Sequence, residues 1–457
     1  MRNLPSTIFR NNTFQNKAQK LRGVRDLLPS TVRIYSTMTS KVSPKLVKAP
    51  LAYVNEQYLA DTEYVVRVAK TLLMPIGIWP RYGDNSSLSN AIIYIRVCLI
   101  FCLMLFLLTP HFIWTWFKAE DLRKLMKIIA AQVFSSLAVL KFWTLILNKQ
   151  DIRYCLEVME NDYRVAESEE DRQIMLKNAK IGRFFTTAYL GLSYGGALPY
   201  HIIMPLLQPR VFKSDNTTMI PLPYPSEYVF FIVEDSPLYE IVFVTQILIS
   251  SIILSTNTGV YSLIACVVMH CCCLFEVTSN RAEKLLRGMK YDKSKISPEL
   301  GKKLSELIDF HVKAIQYAET MENALNIVML SEMGGCTIII CFLEYGILQD
   351  LEDREYLGMV TYIMLMTSIF VNVFILSYVG DKVKEQSEAI GFSAYSMQWV
   401  DLPNEFIMKD LKFVMARANQ PTRLTAGKLF DLSLQGFCDV AKTSMAYLNF
   451  LRTLEIT

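Results

Sequence analysis

The residues of this chain whose types and spacing could do chemistry sit in its final stretch, Arg417 to Thr457. After a polar turn, Ala418-Asn419-Gln420-Pro421, the sequence runs helix-compatible to its end. At about 100° per residue, Asp439, Thr443, Tyr447, Phe450 and Leu454 fall on one narrow face, with Ala446 beside them. That face is polar where it begins and bulky and apolar where it ends. A carboxylate and a hydroxyl in line suit water and cations, and an aromatic and a leucine further along exclude both. A lipid-facing stripe has no reason to carry Asp and Thr in line. A helix packed in a bundle with its small and polar residues turned inward would read the same way, and this stretch alone leaves both open.

Elsewhere the chemistry-bearing residues do not converge. The four histidines, His111, His201, His270 and His311, are scattered, and no Cys or His pair has metal-ligand spacing. Of the ten cysteines, Cys98, Cys102, Cys266, Cys336, Cys341 and Cys438 lie in apolar runs, where Cys acts as a small hydrophobe. Cys271-Cys272-Cys273 follows a predicted span and reads either as a free-thiol helix end or as an acylation site. No nucleophile–base pair or glycine-rich phosphate loop stands at usable spacing, so the sequence gives no enzyme and calls for no cofactor or metal.

The elements that must position the final stripe are apolar. Hydrophobic residues make up 52% of the 457, aromatics 12%, and Met occurs 21 times. Long apolar runs at this content mean a polytopic membrane protein, and the net charge of +4 is too small to signal nucleic-acid binding. Seven segments suffice to span a bilayer, near 89–109, 126–147, 184–206, 239–268, 326–349, 357–380 and 432–454. Arg96 and Lys141, inside spans, must face protein or water, or snorkel. The N-terminal region carries about thirteen Lys and Arg, and the second, fourth and sixth loops about seven, nine and seven. The first, third and fifth loops carry only about three, two and one. This bias predicts a cytosolic N-terminus and an extracellular C-terminus. The sequon Asn216-Thr217-Thr218, a candidate glycosylation site, then falls outside.

Residues 1–50 read as a basic, Ser/Thr-rich tail: a transit-type leader, a disordered cytosolic segment, or an extension upstream of a start at Met38. Residues 51–88 form an interfacial lead-in, helical from Tyr53 to Leu73 and broken by Pro75, Gly77, Trp79 and Pro80. Residues 89–457 make the membrane domain. Its long inner loops, near 269–325 and 381–431, are amphipathic and predict a cytosolic helical anchor: Leu300, Leu304, Leu307, His311 and Ile315 recur at helical spacing. Gly191-Leu-Ser-Tyr-Gly195 and Gly334-Gly335 are small-residue motifs that permit close helix approach.

The inverted orientation excludes G-protein-coupled receptors, and the absence of three repeats excludes a mitochondrial carrier. Lys442-Thr-Ser-Met-Ala-Tyr-Leu-Asn-Phe-Leu-Arg-Thr-Leu454, preceded by Gln420-Pro421 and Leu424-Thr-Ala-Gly427, resembles the C-terminal signature of insect odorant receptors. Ile78-Trp79-Pro80 and the helix around His311 are similar to that family too, and the likeness runs from about residue 70 onward. Ala446 departs from it, since members often carry Ser there.

The resemblance implies a ligand-gated cation channel of four subunits, in which this chain is a tuning subunit assembled with the odorant receptor co-receptor in the plasma membrane. It implies that the seventh helix lines the pore, with Asp439, Thr443, Ala446 and Tyr447 on the wall and Phe450 and Leu454 at the hydrophobic gate. Glu455 then stands at the outer rim, where negative charge concentrates cations. The implied ligand is a small volatile organic molecule, held in the outer half of the bundle. Aromatic and Met walls suit it, and Phe134, Tyr194, Tyr200, Tyr362 and Met366 are the candidates. A gustatory-type channel and a non-conducting membrane receptor or scaffold are the alternatives.

Overall fold

The computed structural model describes residues 53–80, 87–117, 122–207, 210–212, 218–230, 233, 235–286, 298–397 and 405–456. The 1–50 tail and Asn216 lie outside them. Among the described residues ten helices carry the fold: α1 (Tyr58–Ile76), α2 (Ser87–Phe117), α3 (Leu122–Leu147), α4 (Lys149–Arg164), α5 (Glu169–Leu198), α6 (Leu238–Lys284), α7 (Pro298–Glu352), α8 (Tyr356–Ser396), α9 (Glu405–Ala418) and α10 (Leu434–Ile456). A π-helical turn, Pro199–Ile203, and one turn of α-helix, Met204–Leu207, extend α5. Two short hairpins complete it, β1 (Val211–Phe212) with β2 (Thr218–Met219) and β3 (Thr425–Ala426) with β4 (Phe430–Asp431).

The seven predicted spans are α2, α3, the second half of α5, the first half of α6, the second half of α7, the first half of α8, and α10. Among the described residues five helices, α2, α3, α6, α7 and α8, are long and apolar enough to cross a membrane by length and composition. Two are less apolar for visible reasons. The second half of α5 is diluted by Thr186, Thr187, Ser193 and the glycines Gly191, Gly195 and Gly196, and α10 carries Asp439, Lys442 and Arg452.

α6 is the centre. Every side chain from Thr256 to Phe275 is buried, as α1, α3, α5, α7 and α8 all pack against it. α1 lays Val66, Ala69, Leu73 and Ile76 inward, and a Cβ at Gly259 would stand 2.5 Å from Leu73. The helix runs through Pro75 and stops at Gly77, whose φ of 92° closes it in the left-handed region that glycine adopts freely. Arg96 packs beside that cap: a Cβ on Gly77 would lie 3.0 Å from its Nε. Of the small-residue motifs, Gly335 meets Leu137 of α3 and Gly196, one residue beyond the expected pair, meets Leu365 of α8. Gly191 and Gly334 face open space.

The inner loops are helical. Leu300, Leu304, Leu307 and His311 are buried along α7, and Leu411 and Val414 along α9. The second loop adds α4, whose Asp162 accepts a hydrogen bond from His270 at 3.1 Å and pairs with Lys313. Burial pushes the Asp162 carboxyl up, but the Lys313 ammonium and the His270 hydrogen bond outweigh it and hold it below the usual carboxylate range. Arg172 joins α5 to α1 through Asp61 at 2.7 Å, and Arg281 joins α6 to Asp171 at 2.7 Å. Cys271, Cys272 and Cys273 are fully buried, so the triplet is helix packing and its thiols are shut off from an acylating enzyme.

Candidate functional site

α10 is held by one stripe. Among its described side chains Val440 and Ser444 are the buried ones, and Ser444 Oγ donates to Glu344 Oε1 of α7 at 3.4 Å. Its entry is fixed more firmly. Leu434 N donates to Asp381 Oδ2 at 2.8 Å, Gly436 N donates to Ser433 Oγ at 3.2 Å, and Phe437 packs edge-on against Phe370 and Phe374 of α8. The β3–β4 hairpin before it is bound to α7: Gly427, at φ 59°, donates its N–H to Asn326 O at 2.9 Å. Thr425 Oγ1 donates to Glu322 Oε1 at 2.6 Å.

The rest of α10 turns outward. Asp439, Thr443, Ala446, Tyr447 and Phe450 are all exposed, Phe450 at 60%. The predicted stripe thus lies together on the face away from the other helices of its own chain. Leu454 and Glu455 belong to the helix, and their side chains lie outside the described ones.

The five ligand candidates divide. Tyr200 and Tyr362 come together with ring centroids 6.2 Å apart. Tyr194 OH pairs with Ser255 Oγ of α6 at 2.7 Å. Phe134 and Met366 are half-buried against the core, and the Phe134 carbonyl accepts from Asn257 Nδ2 at 3.3 Å. Around Tyr200 the structure gathers residues that spacing could not connect. His201 lies edge-on to Tyr200 at 5.2 Å and shares a hydrogen bond with Tyr224 OH, and His111 lies edge-on to Tyr224 at 5.4 Å. Four separate chain segments supply these side chains, so the only signal for them in the sequence was residue type.

Deeper in the bundle lies a second polar group. Lys141 of α3 forms an ion pair with Glu332 of α7, both side chains 2% exposed, and its Nζ donates to Asn257 Oδ1 at 2.7 Å. Tyr261 OH donates to Glu332, and Asn372 of α8 donates to the Tyr261 oxygen. Of the three environments open to Lys141 (protein, water or the snorkelled position), it takes protein and finds an acid there, and four helices meet at the pair. Its worth is in fixing one arrangement: a buried pair returns little net stability over an apolar one, and breaking it is expensive.

These features define a multi-pass, all-helical membrane protein in which a weakly docked last helix stands beside a tightly packed bundle. Residues 121–445 match the 7tm odorant receptor family, and the chain belongs to that family. It is similar to the putative odorant receptor 92a of Drosophila melanogaster, 26% identical over 33% of this chain and 36% of the relative. Odorant receptor 2a of the same organism is 24% identical over 37% and 42%. The alignments to these two thus cover well under half of the relatives' length. Odorant receptor Or2 of Anopheles gambiae aligns over 69% of this chain and 80% of its own, at 22% identity. In fold, the chain is similar to the insect olfactory receptor OR5 from Machilis hrabei in complex with eugenol. That match has a TM-score of 0.72 and 14% identity, covering 87% of this chain and 100% of the other. The fold is therefore the seven-helix fold of that receptor.

Proposed function

We propose that this chain is the odorant-binding subunit of a ligand-gated cation channel, assembled as a tetramer with the odorant receptor co-receptor in the plasma membrane of a sensory neuron. The observation that carries this is the docking of α10. One stripe, Val440 and Ser444, holds it to its own bundle, and a face bearing Asp439, Thr443, Ala446, Tyr447 and Phe450 is left uncovered. Four such helices around an axis would give a polar wall leading to a ring of Phe450 and Leu454, closed by dewetting until the helices part. Glu455 would stand at the rim. Lys and Arg concentrate in the N-terminal region and in loops two, four and six, which supports a cytosolic α4, α9 and lower α6 and α7 as the anchor where subunits meet. The third loop, with Asn216 as a glycosylation acceptor, then lies outside, and the 1–50 tail lies in the cytosol.

The ligand is a small volatile organic molecule, and the resemblance of the C-terminal signature together with the eugenol complex of the similar structure supports that class. Phe134, Tyr194, Tyr200, Tyr362 and Met366 contribute its aromatic and thioether walls. The test is current from cells expressing this chain with and without the co-receptor during exposure to a volatile panel. Current should need both chains, and its ion selectivity should change with Phe450→Ala. Volatile-evoked signals untouched by every α10 substitution would sink the channel reading.

A further inference from the structure

Among the described residues, the outer-half cluster contains one polar side chain without a partner. Its neighbours are all engaged. Gln246, fully buried on α6, clasps the 220–228 segment: its Oε1 accepts from Tyr224 N at 3.0 Å, and its Nε2 donates to Tyr224 O at 3.2 Å and to Ser226 Oγ at 3.1 Å. Tyr224 is thereby plugged into the end of the bundle, 3% exposed, with its hydroxyl on His201 Nε2. His201 Nδ1 is bonded to Ala197 O at 2.7 Å. Gln132 Nε2 donates to the His111 carbonyl at 3.2 Å and to Thr115 Oγ1. Glu227 N donates to Pro110 O at 3.0 Å, which pins the loop to α2. His111 itself is 1% exposed, and neither of its ring nitrogens has a hydrogen-bond partner among the described residues.

We infer that His111 is the hydrogen-bonding anchor of the ligand site, and that the ligand class is an apolar volatile ending in a hydroxyl, an alcohol or a phenol. This rests on the odorant-receptor reading above. A neutral imidazole offers one N–H donor and one bare acceptor nitrogen, and a hydroxyl is the small group that answers both at once. The aromatic rings of Tyr200, Tyr362 and Tyr224 supply the apolar walls for its carbon body. A buried group left unpaired makes a site reject the analogue that lacks the matching polar atom, whereas an extra methylene in an apolar pocket discriminates far less. The anchor comes from α2 and the plug from the outer loop, which places the polar end of the site at the edge of the bundle.

The experiment compares 1-octanol, 2-phenylethanol and eugenol, each against its O-methyl ether, within a broad volatile panel on cells expressing this chain with the co-receptor. Among the pairs that activate, the hydroxyl member should act at concentrations at least about tenfold lower than the ether. In His111→Phe that ratio should fall to within about threefold as the alcohol's sensitivity drops, and His111→Gln, which keeps a donor and an acceptor, should retain most of it. A wild-type ratio near one, a ratio unchanged in His111→Phe, or activation by other volatiles with silence to all three pairs would each overturn the His111 assignment. A wild-type ratio near one overturns the proposal even where neither variant reaches the surface. Silence to the whole panel would instead overturn the receptor reading, so the two failures are separable.

Discussion

α6 and α10 are both helices of one bundle, yet their surroundings are opposite. α6 is enclosed by five helices and satisfies Asn257, Tyr261 and His270 from within the chain. α10 touches α7 and α8 along one stripe and leaves Asp439, Thr443, Tyr447 and Phe450 uncovered. The contrast separates two jobs. A helix whose central polar groups, Asn257, Tyr261 and His270, are answered internally can hold one conformation by itself. A helix exposed over most of its circumference depends on what lies beside it, whether lipid or further subunits, and can shift without disturbing the core.

The contrast can be broken from the α6 side first. Glu332→Gln leaves Lys141 buried without a counter-charge and should cost about 3–5 kcal/mol. Thermal unfolding of purified protein should show it, and the double variant Lys141→Met with Glu332→Leu should recover most of the loss. An unchanged midpoint in the single variant would mean the pair does not hold the four helices. Next in size, Gly259→Ala forces a Cβ onto Leu73 and should cost about 1–3 kcal/mol through overpacking of α1 on α6.

The acid limb of stability tests the inner anchor. Asp162 has its folded carboxyl below the ordinary value, so its contribution is fully present above about 4, the unfolded value, and is lost as pH falls through the lower folded one. Unfolding followed from pH 6 downward should therefore be flat in this contribution to about pH 4 and decline below it. Asp162→Asn should blunt that decline, and an identical acid limb in the variant would refute the assignment. Smallest in stability is Phe450→Ala on the α10 side. An exposed side chain away from packing should change stability by under about 0.5 kcal/mol, with the unfolding midpoint close to the wild type. The same variant should raise unstimulated current in the assembled channel, and a destabilised fold with ordinary gating would reverse the comparison.

Much of this contrast was legible in the sequence, unevenly. The 3.6-residue period of Leu300, Leu304, Leu307 and His311 gave α7 its inner face because local spacing alone decides it. The α10 stripe was equally legible, since all its members lie on one helix. Asp162 on α4 was not, because the 148–183 loop is polar and its partners, His270 and Lys313, stand more than a hundred residues away. Glu332 went unremarked where Lys141 drew notice, and only the packing of α3 on α7 joins them. The cluster at His111, His201 and Tyr224 depends on a loop folding back across the bundle, which no periodicity encodes. The spans in α5 and α10 were legible too, although small polar residues in the one and charges in the other lower their apolarity.

The clamp on the start of α10 has a mechanical consequence. Gly380 lies so close to Leu432 that a Cβ would stand 2.4 Å from its carbonyl oxygen, and Leu434, Phe437 and the β3–β4 hairpin are tied to α7 and α8 nearby. The helix leaves that anchorage as a rod of 23 residues, about 34 Å at 1.5 Å per residue. A rotation of about 5° at the clamped end carries the free end about 3 Å sideways while the first turn hardly moves. The joint thus acts as the fulcrum of a lever, and a slight lean of α7 or α8 is multiplied at the far tip.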